Sequence, residues 1–353
     1  MDRHLKVIGG EHWFTNKLFS ENLDNFNNTN AIFLSGGQSA IRFILKDIDM
    51  KNNQYILIPS YLCPTILYNF EDLGVKYKFY KVNSDLSIDL DDVCSKINKN
   101  NIKAIFFINY FGFYHDKKTI LFLERLKNQG IIIIEDSVQM LWFEKKSFIG
   151  NYVFNSYRKF LPIDGSIVLC EKIEKYDFVD DNYNYFIRIA RQKKTLFNKF
   201  KFGNEDEFLD LYEKAEQEYY KRKHIIGMDN KSKKLLSIID YNFIFKKRLE
   251  NYCYLYDKLK ENNKIKILYS KESIKNNCIL GMPIIVENRD SIRKKMREFN
   301  IYCPVHWNIL KEEWVNKYRE SKYLAKRILT LPVDQRYNFE DMNRVIKIIS
   351  EGC

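Results

Sequence analysis

The sequence predicts an α/β protein, with a mainly parallel sheet in a large N-terminal part and a smaller α+β C-terminal part. Three observations predict it. Short apolar runs alternate with helix-like stretches across short links between residues 31 and 170, the pattern of strands and covering helices. Several of those runs are continuously apolar, as strands buried on both faces are. Two of them end abruptly in polar chemistry within residues 131–159, IIIIEDSVQMLWFEKKSFIGNYVFNSYRK. Four isoleucines run into Glu135 and Asp136, and residues 152–154 lead into Ser156, Arg158 and Lys159. Ligands of open α/β sheets gather outside the carboxyl ends of the strands, so Asp136 points at whatever is bound.

Residues 31–34 read as the first strand of this series, followed by Ser35-Gly36-Gly37-Gln38-Ser39 and a helix from near Ala40. A glycine pair before a helix leaves backbone N–H groups free to face an anion, with the dipole behind them. No GxGxxG and no GxxxxGK[ST] competes with that reading. Residues 55–59 form the next strand, and 60–64 turn into a helix that Gly74 ends. A strand over 77–82 leads to SDLSIDLDDV, whose acids serve as caps and a solvated face. Residues 104–108 are a strand ending in Asn109-Tyr110-Phe111-Gly112-Phe113, and a helix over 117–128 stops at Gly130.

After Cys170 the regularity fades, and residues 174–203 carry Asp, Asn, Tyr and Lys without a clear period. Residues 205–223 form an amphipathic helix with acid first and base last, as the dipole favours. One long helix over 232–260 bridges to the C-terminal part, where 264–269, 279–286 and 301–305 read as strands and 290–299 and 341–349 as helices.

Composition bounds the function. The 353 residues are 45% hydrophobic, enough for a sizeable core, and no apolar run reaches membrane-spanning length. The first residues, MDRHLKVIGGEHW, lack a signal-peptide apolar stretch, so a soluble cytoplasmic protein is expected. Seven cysteines without a CxxC pair suit reduced thiols. The net charge of +12 is an excess within a mixed surface. It suits attraction of anions as well as a simple compositional bias, and the basic stretches at 191–194 and 221–223 come with no nucleic-acid motif.

An acid at one strand end, a lysine at another and a serine three residues before that lysine suggest a pyridoxal phosphate (PLP) site. The carboxylate of Asp136 would hold the pyridinium nitrogen protonated, Lys159 would bind the aldehyde carbon, and Ser156 would touch the phosphate. The same Ser-x-x-Lys spacing recurs at Ser291 and Lys294, but there it lies in a charged helix with no acid-ended strand before it.

EDSVQ, SYRKFLPIDGS, SGGQS, NYFGF, the YCPVHW stretch and LTLPVDQRYNFEDM, in this order apart from the first two, resemble motifs of the DegT/DnrJ/StrS family of PLP-dependent aminotransferases, which mostly act on nucleotide-linked keto-sugars. The resemblance runs from about residue 9 to about 349. It implies a fold-type I transferase with a cofactor-binding large domain over 1–235 and a smaller domain over 236–353. It implies that Lys159 and Asp136 are catalytic and that Gly37, Gln38, Ser39, Tyr61, Cys63, Gln139 and Ser156 bind the cofactor. Gln38 stands where the family usually has Thr, and Cys63 or Tyr61 occupies the ring-stacking turn. Tyr110, His306 and Arg336 are the implied substrate contacts, Arg336 as a fork for a carboxylate or equally as an ion pair with Asp334 or Asp341. The family's asparagine-containing loop, donated across the dimer to the neighbour's phosphate, is not recognisable.

The expected activity is transfer of an amino group from L-glutamate to a keto-sugar, nucleotide-linked and destined for a surface glycan, by a homodimer without a metal. Alternatives are a PLP enzyme acting on another small phosphorylated ketone, and a non-catalytic regulatory or nucleic-acid-binding protein of the same fold. The dehydratase branch usually has histidine where Lys159 stands. Neither a membrane nor a nucleic acid is expected as a partner.

Overall fold

A computed structural model describes residues 6–15, 18–19, 31–142, 148–274 and 277–352. Seven strands make the central sheet: β1 (Ala31–Leu34), β2 (Tyr55–Pro59), β3 (Tyr77–Tyr80), β4 (Ile102–Ile108), β5 (Ile132–Asp136), β6 (Tyr152–Phe154) and β7 (Ser166–Leu169). They stand in the order β1-β7-β6-β5-β4-β2-β3. All neighbours are parallel except β7, which runs antiparallel to both β1 and β6. In β2, Ile56, Leu57 and Ile58 are all fully buried, and so are Ala104, Ile105 and Phe107 of β4. Successive side chains of a strand point to opposite faces, so both faces of the sheet are covered.

The connecting helices of the first half are α1 (Gly37–Asp47), α2 (Thr65–Asp72), α3 (Leu90–Lys99) and α4 (Lys117–Asn128). The acids of SDLSIDLDDV act as expected: Asp89 caps α3 by accepting from the Asp92 N–H at 2.9 Å. Asp116 caps α4 in the same way through Thr119.

Beyond β7 the chain departs from the sequence expectation in three places. First, 174–203 is no irregular stretch but holds α5 (Asn182–Phe200), which packs with α6 (Glu205–Lys221) as a helical hairpin. The buried stripe of α5 is Tyr183, Asn184, Ile187, Ala190, Arg191 and Lys194, a helical spacing in which half of the positions are polar or charged. An apolar-period reading misses such a helix. Second, the long helix over 232–260 is two, α7 (Asn230–Ser237) and α8 (Tyr241–Leu259). Between them Ile239 forms a bridge to Phe19, the Asp240 N–H donates to the Leu18 carbonyl at 3.0 Å, and the Asp240 carboxylate caps α8 at Phe243 N.

Third, the C-terminal strands are shorter than expected and one was unforeseen. A three-stranded antiparallel sheet joins β8 (Lys266–Ile267), β9 (Met282–Ile285) and β10 (Ile328–Leu331) in the order β8-β9-β10. The run 279–286 is broken at Gly281, where an added Cβ would lie 2.6 Å from Thr330 and 2.9 Å from the Leu331 carbonyl. Only Ile301–Tyr302 of 301–305 is strand, and it pairs with Ile8–Gly9. Around this sheet lie α9 (Arg289–Glu298), α10 (Arg319–Arg327) and α11 (Phe339–Gly352). One hydrophobic core runs through both sheets, from Ile8 and Ile32 to Val345 and Ile349. No helix among the described residues is long and apolar enough to cross a membrane.

The cap on α8 makes a test. Asp240→Ala should cost about 1 kcal/mol of stability, read as a lowered midpoint in denaturant at unchanged slope; no change would mean that the α7–α8 break is held by the Leu18 and Phe19 contacts alone.

Candidate active site

The parallel register of β5 and β6 decides where the chemistry meets. Asp136 pairs with Phe154, the last residue of β6, and Ile108 of β4 pairs with Asp136 on the other side. The chain leaving β6 turns through Asn155 and Ser156 into a short 3-10 turn, Tyr157–Lys159. That turn is pinned by the Tyr157 N–H to the Gly165 carbonyl at 2.9 Å, so Lys159 is carried back over the strand ends. Asp136 and Lys159 consequently line one cavity of about 290 Å³, together with Gly37, Gln38, Cys63, Gln139, Ser156 and His306.

The two acids at the end of β5 divide by face. Glu135 is wrapped by protein: its carboxylate accepts from Asn109 Nδ2 at 2.8 Å and from the Ile149 and Gly150 N–H groups at 3.0 Å. Asp136 points the other way, and only one of its oxygens is used, accepting from the Val138 N–H at 2.9 Å. Burial pushes both carboxyls up to about 7; for Asp136 the Val138 hydrogen bond and the nearby Lys159 oppose it. A desolvated carboxylate with a free oxygen facing a cavity suits a cationic ring N–H, the partner that would relieve its burial.

Lys159 is held below the ordinary lysine range by burial first and the adjacent Arg158 guanidinium second, which favours the neutral, nucleophilic amine. Its carbonyl lies 3.1 Å from His12 Nε2. Ser156 is buried, and its hydroxyl has no hydrogen-bond partner among the described residues. Gln139 gives its carbonyl oxygen to the Phe111 N–H at 2.6 Å, and its buried amide nitrogen is left without an acceptor. An orphaned donor beside a half-used carboxylate and a free hydroxyl is the donor set that a phosphorylated hydroxypyridine aldehyde requires. These residues fit PLP.

Other residues singled out in the sequence are placed differently. The N-terminus of α1 lies at the cavity through Gly37 and Gln38, but the Gln38 side chain is spent on α2: its amide donates to Thr65 at 3.2 Å and accepts from Asn69. Ser39 does not line the cavity; its hydroxyl is 3.0 Å from that of Ser35 and faces Ile226. Of the stacking pair, half-buried Cys63 lines the cavity, with its thiol 3.2 Å from the Thr65 hydroxyl. Tyr61 is fully buried behind it, donating to the His306 carbonyl and accepting from the Trp307 N–H at 2.8 Å. Tyr110 does not reach the cavity either: its hydroxyl donates to the Tyr61 carbonyl, and its ring packs on Trp307. Both tyrosines support the site from the core, because the β2 and β4 turns point their rings at the 306–307 segment.

His306 borders the cavity, with Nδ1 2.9 Å from the Thr330 hydroxyl. Burial, then Lys159, lowers it to about 3, so it is neutral at physiological pH and serves as a hydrogen-bonding wall rather than a proton carrier. Arg336 borders a second cavity, but its fork is already engaged by Asp334 at 2.8 Å and by the Gly10 and Glu11 carbonyls at 3.1 Å. Among the lining residues of the first cavity to which the sequence assigned no site role are Thr65, Arg158, Glu216, Tyr219, Tyr220 and Trp307. Three of them come from α6, whose approach to the strand ends left no local signal in the chain. The second cavity, about 310 Å³, meets the first at Arg158, Lys159 and His306 and is lined by Arg293 and Arg297 of α9. Among the described residues no group of His, Cys, Asp and Glu could hold a metal ion, and the six described cysteines are free.

Comparison with known proteins agrees with the family resemblance and the fold class read from the sequence. Residues 10–146 match the model of the DegT/DnrJ/EryC1/StrS aminotransferase family. No curated protein sequence matches the chain at a significant level. Among solved structures, a DegT DnrJ EryC1 StrS aminotransferase from Brucella abortus superposes with a TM-score of 0.63 at 17% identity, over 91% of this chain and 85% of that one. PseC from Helicobacter pylori, an aminotransferase involved in the biosynthesis of pseudoaminic acid, gives 0.65 at 13% identity over 98% and 99%. DesI, solved in the presence of its TDP-sugar product, gives 0.64 at 12% over 93% and 81%. At these identities the likeness is one of fold, that of fold-type I transferases.

The raised carboxyl of Asp136 sets a pH test on the cofactor-free protein. A carboxyl whose folded pKa lies above its unfolded value contributes fully below about pH 4, and that contribution is lost as pH rises through about 7. Asp136→Asn removes the penalty while its side-chain oxygen can still accept from Val138. At pH 8 the variant should exceed the wild type by on the order of 2–4 kcal/mol, and near pH 4 the two should melt together. Equal melting at both pH values would contradict the burial argument.

Proposed function

We infer the reaction from the match of residues 10–146 to the DegT/DnrJ/EryC1/StrS aminotransferase family, whose cofactor is pyridoxal phosphate: the chain moves an amino group from L-glutamate to a keto-sugar, nucleotide-linked and used in glycan assembly. The observation that carries this reading is the single cavity shared by Asp136, Lys159, Gln139 and Ser156. When bound, the cofactor supplies the electron sink that acidifies a donor's α-carbon. Everything else is the work of the chain.

Lys159 would hold the cofactor through its aldehyde, and its amine, when free, would serve as base and acid toward the proton on the donor's α-carbon. The neutral bias given by burial and Arg158 keeps that amine available. Asp136 would hold the ring nitrogen protonated. An ion pair near 4 Å contributes roughly 4 kcal/mol at an effective dielectric of about 20, against roughly 1 kcal/mol for a neutral hydrogen bond. Gln139 would offer its unpaired amide to the ring hydroxyl, and Ser156 its hydroxyl to the phosphate. Trp307 and neutral His306 border the site with aromatic surface that limits water.

The second cavity supports an anionic acceptor. Six basic side chains line it against two carboxylates, Glu11 and Asp334. Arg248 and Arg336 are consumed internally, by Gln335 and by Asp334. Arg297 makes no ion pair among the described residues, and Arg293 uses only Nε, on the Cys303 carbonyl at 3.1 Å. Four residues apart on α9, they offer two adjacent forks to phosphate oxygens within reach of the Lys159 end of the cavity. As in the family, the enzyme would act as a homodimer, which places further substrate contacts on the neighbouring subunit.

Purified protein given PLP should show a visible cofactor band that excess L-glutamate bleaches with release of 2-oxoglutarate, and Lys159→Ala should abolish the bleaching. Absence of any band would sink the reading. Arg297→Ala should raise the KM for a nucleotide-linked keto-sugar roughly ten-fold or more while leaving the glutamate half-reaction intact. An acceptor screen in which only small phosphorylated ketones react would replace the sugar while keeping the half-reaction.

A further inference from the structure

The α5–α6 hairpin is bound to both sides of Lys159. On α5, Arg191 pairs with Asp164 at 2.7 Å and Tyr183 donates to the same carboxylate at 2.6 Å, which fixes the loop that follows the lysine. On α6, Glu216 receives the Arg158 guanidinium at 3.0 Å, which fixes the residue before it. One turn further on, Tyr219 is 4% exposed, and its ring is held by the guanidinium of Arg158 at 4.4 Å and that of Arg222 at 5.6 Å. Its hydroxyl reaches the start of α1. It lies 3.5 Å from the Gln38 N–H, and a Cβ built on Gly36 would sit 2.6 Å from it. The hydroxyl proton has no acceptor among the described residues. The α1 N-terminus, the free Ser156 hydroxyl and Tyr219 therefore line the same cavity as Asp136 and Lys159, with the Tyr219 hydroxyl set against the start of α1.

We propose that Tyr219 donates a hydrogen bond to the cofactor phosphate, so that a helical hairpin of the same chain closes the phosphate end of its own site. The assignment rests on the PLP reading of the cavity. It also accounts for the glycine at 36: any side chain there would displace the tyrosine hydroxyl. The Gln38 side chain, turned to α2, leaves room for that hydroxyl beside the Gln38 N–H. Because the hydroxyl serves the phosphate and not the ring, its loss should be felt by a phosphorylated ligand alone.

The test titrates cofactor-free wild type and Tyr219→Phe with PLP and with unphosphorylated pyridoxal, reading the bound-cofactor absorbance. Phenylalanine keeps the ring between its two guanidiniums, and pyridoxal binding reports whether the pocket survives. The substitution should weaken PLP roughly ten-fold and leave pyridoxal within about two-fold, and inorganic phosphate should compete less well with PLP analogues in the variant. Equal weakening of both ligands, or of neither, overturns the assignment of Tyr219 while the wild-type band stands. Wild-type protein that takes up neither ligand overturns the PLP reading itself.

Discussion

Three parallel strands in fixed register, β4, β5 and β6, set everything else in this molecule. Because Asp136 lies level with Phe154, the five residues that follow β6 suffice to bring Lys159 over the end of β5. A slip of one residue along β5 would exchange the faces of Glu135 and Asp136. The buried acid would then lose its wrapping by Asn109, Ile149 and Gly150, and the cavity would receive the wrong carboxylate. The continuous isoleucine run of β5 defines that register by burial on both faces rather than by alternation.

Electrostatics inside the cavity is arranged as a set of debts that a ligand settles. Asp136 is dry and half-bonded, Gln139 Nε2 has no acceptor, Ser156 has no partner and Lys159 is disfavoured as a cation. Each of these is costly in an empty site. The structural residues next to them show the contrast: Glu135 accepts three hydrogen bonds, and Arg336 is fully engaged by Asp334 and two carbonyls. Cavity-facing and wrapped side chains differ here in whether their bonding capacity is filled.

The sheet was legible because its strands are short, continuously apolar and bounded by turn residues, and the motifs at their ends are local. What the sequence hid was tertiary. α5 shows no apolar period because Arg191 and Lys194 occupy its inner stripe, where Asp164 and the rings of Trp13, Phe208 and Tyr212 receive them. β10 carries no strand signal of its own, because Leu329, Thr330 and Leu331 open the LTLPVDQRYNFEDM motif while completing the small sheet. Tyr61 and Tyr110 stand in site-facing turns, yet their rings turn inward, and nothing in the local sequence distinguishes a ring that covers a cofactor from one that supports the wall. Glu216, Tyr219 and Tyr220 join the site from a helix some sixty residues after Lys159, a meeting that only the folded chain reveals.

In a chain with dozens of other lysines, the one at the end of this register is expected to bond the cofactor aldehyde. Borohydride reduction of the protein loaded with stoichiometric PLP, followed by peptide mass mapping, addresses it directly. One pyridoxyl group per chain is expected, on Lys159. Label scattered over exposed lysines, or none at residue 159, would contradict it.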